Sequence, residues 1–317
     1  MTGPSACQLR DGITEITVLS QGCAVQDWRV DGQRVVLGYA DPKAYLGNPK
    51  SMGIIVGRVA NRISGAGFDL DGVHWPLPAN SGPNHIHGGP GGLGWRDWTM
   101  VQVSDRAVRL EFLSPHLDQG YPGTVRFCVH MTLQDGALRW EMEAHPDRVT
   151  PVNLAQHLYF NLHGSGSIRD HSLRIDASRC TPTGAGLLPT GEILDVQGTR
   201  FDFRRGRSIE AADPDSSGYD LNYLLDRPGT ADPQVRVEAN GLALTLSTDR
   251  PGVQLYTSNS LTRVAEPHPG QDHGAFGGLC LEAQDLPNAL NQPGFGSILC
   301  TPDKPYRQVT SIRILPC

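Results

Sequence analysis

The chain has 317 residues, of which 38% are hydrophobic, and a formal net charge of -6. This charge offers no broad basic surface for nucleic acid, and no apolar run is long enough to span a bilayer. We therefore expect a soluble protein without nucleic-acid or membrane partners, and we expect one domain over residues 1–317, because all-β domains often reach this length.

The cysteines and the N-terminal segment bear on cellular location. The seven cysteines are odd in number, scattered and free of Cys-x-x-Cys pairs, which predicts neither a disulfide framework nor a thiolate zinc site. The first residues lack the basic region and apolar stretch of a secretory signal. These features favour a cytoplasmic protein.

Alternation of apolar and polar residues predicts β-strands along most of the chain. In the clearest example, Val125, Phe127 and Val129 share one face of a strand, and Arg126 and His130 share the other. The candidate strands in chain order are residues 13–21, 34–39, 68–77, 107–113, 125–133, 138–144, 152–162, 171–177, 235–239, 242–246, 253–259, 278–284 and 309–315.

The connections between these strands predict the fold class. Asp135-Gly136 and Asn240-Gly241 are two-residue turns whose residues tolerate positive φ, so each predicts a β-hairpin. No stretch has the pattern of an amphipathic helix. Many strands in series without helices between them predict an all-β fold, a large sandwich of antiparallel sheets. The irregular stretches 79–98 and 260–278 are rich in Gly, Pro and His and are expected to carry binding groups.

Four polar segments interrupt the apolar pattern. They contain Asn61-Arg62, the pair His85 and His87, His157, and Glu282. An ionisable group inside an apolar strand is either a paired structural group or one whose pKa is tuned for chemistry. Glu282 and His157 together are candidates for an acid and base pair, since burial and neighbours can bring both close to neutral pH.

The sequence gives less support to a metal site, a nucleotide-binding site or a serine nucleophile. His85 and His87 have a spacing that metal sites use, but no third ligand stands at a recognisable distance. The segment 89–94 matches the glycine pattern of nucleotide-binding loops, yet it contains a proline and precedes no helix. The chain has no Gly-x-Ser-x-Gly segment for a serine nucleophile. We therefore predict an enzyme without a metal or another cofactor.

The polar segments, read in chain order, resemble the aldose 1-epimerase (galactose mutarotase) family. The resemblance spans most of the chain and rests on nine or more segments in family order. These segments include GRVANRISGAGFDLDG, NHIHGG, PVNLAQHLYFNLHG, LLPTGEI, GTRFDFR, GYDLNYLL, PGVQLYTSN and LEAQDLPNALNQPGF.

This resemblance implies a fold, an activity and a set of site residues. The fold is the galactose mutarotase-like β-sandwich, with an open cleft across one sheet. The activity is the interconversion of the α and β anomers of free aldoses such as galactose and glucose, which places the chain in hexose metabolism. The implied substrate is a monosaccharide, no cofactor is needed, and the protein is a monomer or a homodimer.

The resemblance also assigns roles to individual residues. Glu282 is the implied general base and His157 the implied general acid. The implied sugar-binding residues are Asn61, Arg62, His87, Asp220 and Gln254. Trp95 and Tyr256 are candidates for an apolar wall beside the sugar.

Some segments depart from the family pattern and leave the preferred aldose open. The run HGGPGGLGWRDW replaces the more usual HGG followed by a Phe-Asp pair, and Leu221 stands where many members carry His. The loop 260–278, which is expected to rim the cleft, is short and is acidic at Glu266 and Asp272.

Three alternative functions are a non-catalytic sugar-binding protein, an enzyme acting on a phosphorylated hexose, and a carbohydrate lyase or hydrolase.

Overall fold

The computed structural model describes residues 3–230 and 232–317. Strands dominate these residues, and their only α-helix is the single turn α1 (Ile209–Ala212). Short 3₁₀ segments lie at Pro42–Leu46, Ser64–Ala66, Leu93–Trp95, Asp118–Gly120, Ala185–Leu187, Ala289–Asn291 and Pro293–Phe295. None of the described helices is long and apolar enough to cross a membrane.

The strands, in chain order, are β1 (Ala6–Asp11), β2 (Thr14–Leu19), β3 (Val25–Val30), β4 (Gln33–Arg34), β5 (Ile55–Val56), β6 (Arg62–Ile63), β7 (Gly67–Leu70), β8 (Val73–Pro76), β9 (His85–Ile86), β10 (Thr99–Ser104), β11 (Ala107–Ser114), β12 (Val125–Gln134), β13 (Ala137–Pro146), β14 (Thr150–Pro151), β15 (Ala155–Gln156), β16 (Ser172–Ile175), β17 (Arg179–Thr181), β18 (Leu194–Asp195), β19 (Arg207–Ser208), β20 (Asp220–Leu224), β21 (Val235–Ala239), β22 (Leu242–Thr248), β23 (Gly252–Tyr256), β24 (Cys280–Gln284), β25 (Leu299–Cys300) and β26 (Tyr306–Pro316).

Three larger sheets make up the sandwich. One has nine strands in the order β10-β11-β12-β13-β26-β22-β21-β16-β19. The second has the order β1-β2-β3-β4, and the third has the order β18-β17-β20-β23-β24. The pairs along all three sheets are antiparallel, for example β12 with β13 and β23 with β24. The predicted all-β antiparallel sandwich is confirmed.

One large hydrophobic cluster joins the three sheets. It contains Phe127 and Trp140 from the nine-stranded sheet, Trp28 from the four-stranded sheet and Tyr223 from the five-stranded sheet. The rings of Trp28 and Trp140 lie 6.4 Å apart, centroid to centroid. Burial of these aromatic side chains, together with the aliphatic ones of the same cluster, stabilises the face-to-face packing of the sheets.

The two predicted hairpins are confirmed. Asp135 and Gly136 have φ of 52° and 71°, and they connect β12 to β13. Asn240 and Gly241 have φ of 51° and 68°, and they connect β21 to β22. The stretch 68–77, predicted as one strand, is itself a hairpin of β7 and β8, because Asp71-Gly72 forms the same kind of turn.

The stretch 152–162 was predicted as one long strand, and that prediction is wrong. Only β15 within it is a regular strand. Its backbone N–H groups bond to three separate segments, His157 to Ile54, Phe160 to Leu279, and Asn161 to Val35. The stretch is fully buried, so its apolar pattern reflects packing between sheets and not a single continuous ladder.

Candidate active site

The five-stranded sheet presents different chemistry on its two faces. Tyr223 of β20 belongs to the main hydrophobic cluster, whereas Asp220 of the same strand lines a cleft of about 900 Å³. Six of the seven residues predicted for the site line this cleft, and they are Asn61, Arg62, His87, His157, Asp220 and Glu282. The strand alternation inferred from the sequence therefore separates core from site.

Glu282 and His157 meet at the floor of the cleft. Glu282 lies on β24 and is 2% exposed, and its Oε1 is 3.6 Å from Nε2 of His157, which is 5% exposed. The Oε2 atom of Glu282 is buried and has no hydrogen-bond partner within the described residues. This separation is too long for a direct hydrogen bond, but a hydroxyl group bound between the two can exchange protons with both.

Backbone contacts fix the position of each of these two residues. The N–H of His157 donates to Ile54 O, and the C=O of His157 accepts from Gly53 N–H, both at 2.9 Å. On β24, Glu282 pairs with Gln254 of the neighbouring β23. His157 is therefore held by a loop and Glu282 by the sheet.

Arg62 and Asp220 lie together at the side of the cleft. Arg62 Nη1 is 4.0 Å from Asp220 Oδ2, and Arg62 Nε is buried without a hydrogen-bond partner within the described residues. Gln254 Nε2 donates to Asp220 Oδ1 at 2.6 Å. Gln254 is 3% exposed and does not line the cleft, so it lies beneath Asp220 and orients that carboxylate.

Asn61 and His87 are joined by backbone bonds in a strained local conformation. Their φ angles are 60° and 53°, and the N–H of Asn61 donates to Nδ1 of His87. Such positive φ values cost free energy in non-glycine residues and concentrate at functional sites. Since Nδ1 of neutral His87 accepts, Nε2 carries the proton and is available to donate to a ligand.

His85 and His87, whose spacing in the sequence is one that metal sites use, do not share a strand face. The strand β9 ends at Ile86, and His85 contacts Pro78 O at 2.7 Å and the hydroxyl of Tyr121 at 2.8 Å. The ring of His87 lies 5.2 Å from that of His157. His85 is therefore a structural residue, and the positive φ of His87 accounts for the difference.

Burial is the largest influence on the pKa values of the ionisable groups at the floor of the cleft. It raises the pKa of Glu282 well above its usual value, an effect that Asp220 increases and Arg62 opposes. It lowers the pKa of His157 to about 4. Burial and the neighbouring His157 also lower the pKa of His87. Each of these groups therefore favours its neutral form when the cleft is empty of other charges.

Aromatic side chains form the predicted apolar wall, and Trp95 and Tyr256 both line the cleft. Phe201 lines the cleft as well, and sequence reasoning missed it although it belongs to the quoted segment GTRFDFR. Leu221, the departure from the family pattern, also lines the cleft.

The prediction that the loop 260–278 rims the cleft is wrong. Within the described residues, Ser260 is its single member in the cleft lining. Other parts of the loop pack on the segment that follows β4 and on β3. Glu266 O accepts from Ala40 N–H, and His268 Nε2 is 3.0 Å from Gln26 O of β3. These contacts draw the loop away from the cleft.

Two groups of side chains have the composition of metal ligands. His157, Cys280 and Glu282 form one group, but a thiol must lose its proton to bind a metal, and burial raises the pKa of Cys280 well above its usual value.

The second group consists of His163, Asp170 and His171. Nε2 of His171 accepts from Leu162 N–H at 3.0 Å, whereas a metal-bound histidine normally donates from its free nitrogen. Neither group fits a metal ion well.

Comparison with known proteins bears out the resemblance. The sequence model of the aldose 1-epimerase family matches residues 5–313. The chain belongs to the aldose 1-epimerase family. Galactose mutarotase of Sus scrofa is 37% identical over 316 residues, which cover 96% of this chain and 92% of that protein. Aldose 1-epimerase of Escherichia coli K12 is 33% identical, covering 94% and 89% respectively.

Solved structures place the fold among the aldose 1-epimerases too. An aldose epimerase homologue from C. elegans superposes with a TM-score of 0.93 at 27% identity, over 99% of both chains. A galactose 1-epimerase from Lactobacillus acidophilus superposes with a TM-score of 0.86 at 26% identity, over 98% of this chain and 95% of that one. The galactose mutarotase-like fold is therefore confirmed.

Proposed function

We propose that this protein catalyses the interconversion of the α and β anomers of free aldoses by acid–base opening and closing of the sugar ring. The observation that carries this proposal is the buried pair of Glu282 and His157, 3.6 Å apart at the floor of a polar cleft. Membership of the aldose 1-epimerase family supports the same activity, that of a carbohydrate isomerase.

The reaction needs one proton removed and another supplied at the same time. Glu282 takes the proton from the C1 hydroxyl, and His157 gives a proton to the ring oxygen, so that the C1–O5 bond breaks and an open-chain aldehyde forms. Rotation about the C1–C2 bond presents the other face of the aldehyde. His157 then takes the proton back from the C5 hydroxyl, and Glu282 returns its proton to O1 as the ring closes. No proton is gained or lost in the cycle.

The electrostatics of the pair suit this exchange. Ring opening starts from ionised Glu282 and protonated His157, whereas ring closure starts from the form in which both are neutral. The two forms hold the same number of protons, and only the site of one proton differs. Burial favours the neutral form, while Arg62 favours ionised Glu282. The opposing influences keep both forms accessible in one cycle.

Polar residues around the pair suit a polyol. Arg62 presents a planar fork of donors, and its buried Nε has no protein partner within the described residues. Asp220 accepts hydrogen bonds from neighbouring hydroxyls, and His87 and Asn61 add further polar contacts. Gln254 acts indirectly, through the hydrogen bond that it donates to Asp220.

Polarimetry tests the proposal directly. Freshly dissolved α-D-glucose, α-D-galactose, D-xylose and L-arabinose are followed toward anomeric equilibrium, and we expect the protein to accelerate at least one of them. Glu282→Gln and His157→Asn should each reduce turnover by about 10²-fold or more. Glu238→Gln and His74→Asn, at exposed positions outside the cleft, serve as matched controls and should keep full activity.

The opposite results would overturn the proposal. Full activity in both site variants would exclude Glu282 and His157 as the acid and base. A protein that binds these sugars without accelerating any of them would be a sugar-binding protein on the same fold.

We also propose that residues 1–317 form one domain that acts in the cytoplasm as a monomer or a homodimer, on a hexose such as galactose or glucose. The large sheet supports the single domain, because it pairs strands from both halves of the chain, as in β13 beside β26. All seven cysteines are free thiols and six are buried, which suits a reducing compartment. Light scattering of the purified protein distinguishes the monomer from the dimer.

A further inference from the structure

The two ring nitrogens of His157 have different neighbours, and one strand supplies both. Nε2 faces Glu282 Oε1, and Nδ1 lies 3.7 Å from the Sγ atom of Cys280. Cys280 and Glu282 stand two residues apart on β24, so both side chains emerge on the same face of the sheet. Cys280 is fully buried.

We propose that Cys280 is a positioning residue, whose thiol holds the imidazole of His157 through Nδ1 in both of the protonation states that mutarotation requires. This inference rests on the acid role proposed for His157. Protonated imidazole has two N–H donors, and a buried N–H without a partner is costly. The contact with Sγ is the one side-chain hydrogen bond that His157 makes within the described residues.

The other groups around His157 cannot take this role. The ring of His87 lies edge-on at 5.2 Å, and its Nδ1 already accepts from Asn61 N–H. The ring of Tyr159 lies 5.2 Å away, and its hydroxyl donates to Lys50 O. Glu282 is the partner of Nε2. The thiol of Cys280 is therefore the side-chain group left for Nδ1.

The chemistry of a thiol explains why it suits this position. Burial, with the nearby carboxyl groups of Glu282 and Asp220, raises the pKa of Cys280, so the group stays a neutral thiol. A thiol is both a weak donor and a weak acceptor. It can accept from Nδ1–H of protonated His157 and can remain in contact when the ring is neutral. A carboxylate in its place would favour the protonated imidazole strongly and would hinder release of the proton to the sugar.

Kinetics of three variants test the proposal. In Cys280→Ala the Nδ1–H of protonated His157 loses its acceptor, so we expect kcat to fall about tenfold, the loss expected for one buried hydrogen bond. KM should change little. The limb of the pH profile that reports His157 should move to lower pH, because the protonated ring is destabilised. Cys280→Ser keeps a hydroxyl that donates and accepts, and it should recover most of the lost kcat.

Cys180→Ala is the matched control. Cys180 is equally buried and lies on β17 of the same sheet, but it packs in the main hydrophobic cluster, and its thiol makes no hydrogen bond to a histidine within the described residues. We expect wild-type kcat and an unchanged pH profile. If Cys280 only filled space, Cys280→Ala and Cys180→Ala would behave alike, with a lower melting temperature and the wild-type pH profile.

A spectroscopic comparison of the wild type with Cys280→Ser keeps the test decisive if Cys280→Ala fails to fold. In protein with ¹⁵N-labelled histidine, the His157 signals are the ones missing from His157→Asn. We expect the Nδ1 signal to move in Cys280→Ser, and no movement would overturn the inference. Loss of activity on mutation of Glu282 is a separate result, so the proposed function can stand even when the role of Cys280 fails.

Discussion

At the scale of single residues, the buried carboxyl group of Glu282, the proposed general base, lowers the stability of the protein when it ionises. Its Oε2 has no hydrogen-bond partner in the described part of the chain, and burial raises its pKa well above the usual value. A group whose pKa is raised by folding binds its proton more tightly in the folded state. Its contribution to stability is therefore complete below its unfolded pKa of about 4.3 and is lost as pH rises through the folded pKa.

Glu282→Gln should therefore stabilise the protein at neutral and alkaline pH. The amide never ionises, so we expect a melting temperature about 2 °C or more above wild type at pH 8, with a difference that shrinks toward pH 5. Thermal unfolding followed by circular dichroism at pH 5, 7 and 8 measures this. Glu238→Gln, at a half-exposed position outside the cleft, is the matched control. A difference independent of pH would contradict the assigned pKa direction.

At the scale of the elements, a close backbone approach fixes the segment that carries His87. Gly88 follows it with φ of +83°, and a Cβ at Gly88 would lie 1.8 Å from Gly57 O. Gly72, in the turn between β7 and β8, has a similar φ of +76° but has open space around it. The two glycines share the same backbone requirement and differ in the space that surrounds them.

This difference gives an element-scale prediction. Gly72→Ala should lower the free energy of unfolding by about 1 kcal/mol, the cost of left-handed backbone for alanine. Gly88→Ala must also push the backbone away from Gly57, so we expect a loss of about 3 kcal/mol or more, with a raised KM as His87 moves. Urea unfolding and polarimetry measure both effects. Equal losses in the two variants would show that the approach to Gly57 is not limiting.

At the scale of the whole molecule, buried histidines connect stability to pH. The pKa values of His157, His171 and His273 are lowered to about 4, chiefly by burial. The folded state therefore binds fewer protons than the unfolded state between about pH 6.5 and pH 4. The stability that these residues contribute is present above the upper value and is lost as pH falls through this window.

We expect the free energy of unfolding to fall steeply from pH 7 to pH 4, by up to about 1.4 kcal/mol per pH unit for each histidine. His273 is buried, and neither of its ring nitrogens has a partner within the described residues, so His273→Phe should reduce this slope. His145→Asn, at a half-exposed position, is the matched control. Urea unfolding at pH 7, 6, 5 and 4.5 gives the slopes. An unchanged slope in His273→Phe would contradict the assignment.

The fold class and the hairpins could be predicted from the sequence because their causes are local. Apolar and polar residues alternate along β12, and Asp135-Gly136 adopts positive φ whatever lies elsewhere in the chain. The same reasoning predicted a single strand over the stretch 152–162, and this prediction is wrong. The apolar residues of the stretch are buried by packing between sheets, and its backbone forms hydrogen bonds with several segments.

The strand pattern, the family resemblance and the residues to be tested as acid, base and sugar ligands follow from the sequence alone. The way in which these residues meet depends on the tertiary structure. It brings His157 beside Glu282 and Cys280, sets Gln254 beneath Asp220, and draws the loop 260–278 away from the cleft. Residues more than a hundred positions apart become neighbours through strand register and sheet packing, and neither is encoded in the local alternation of residues.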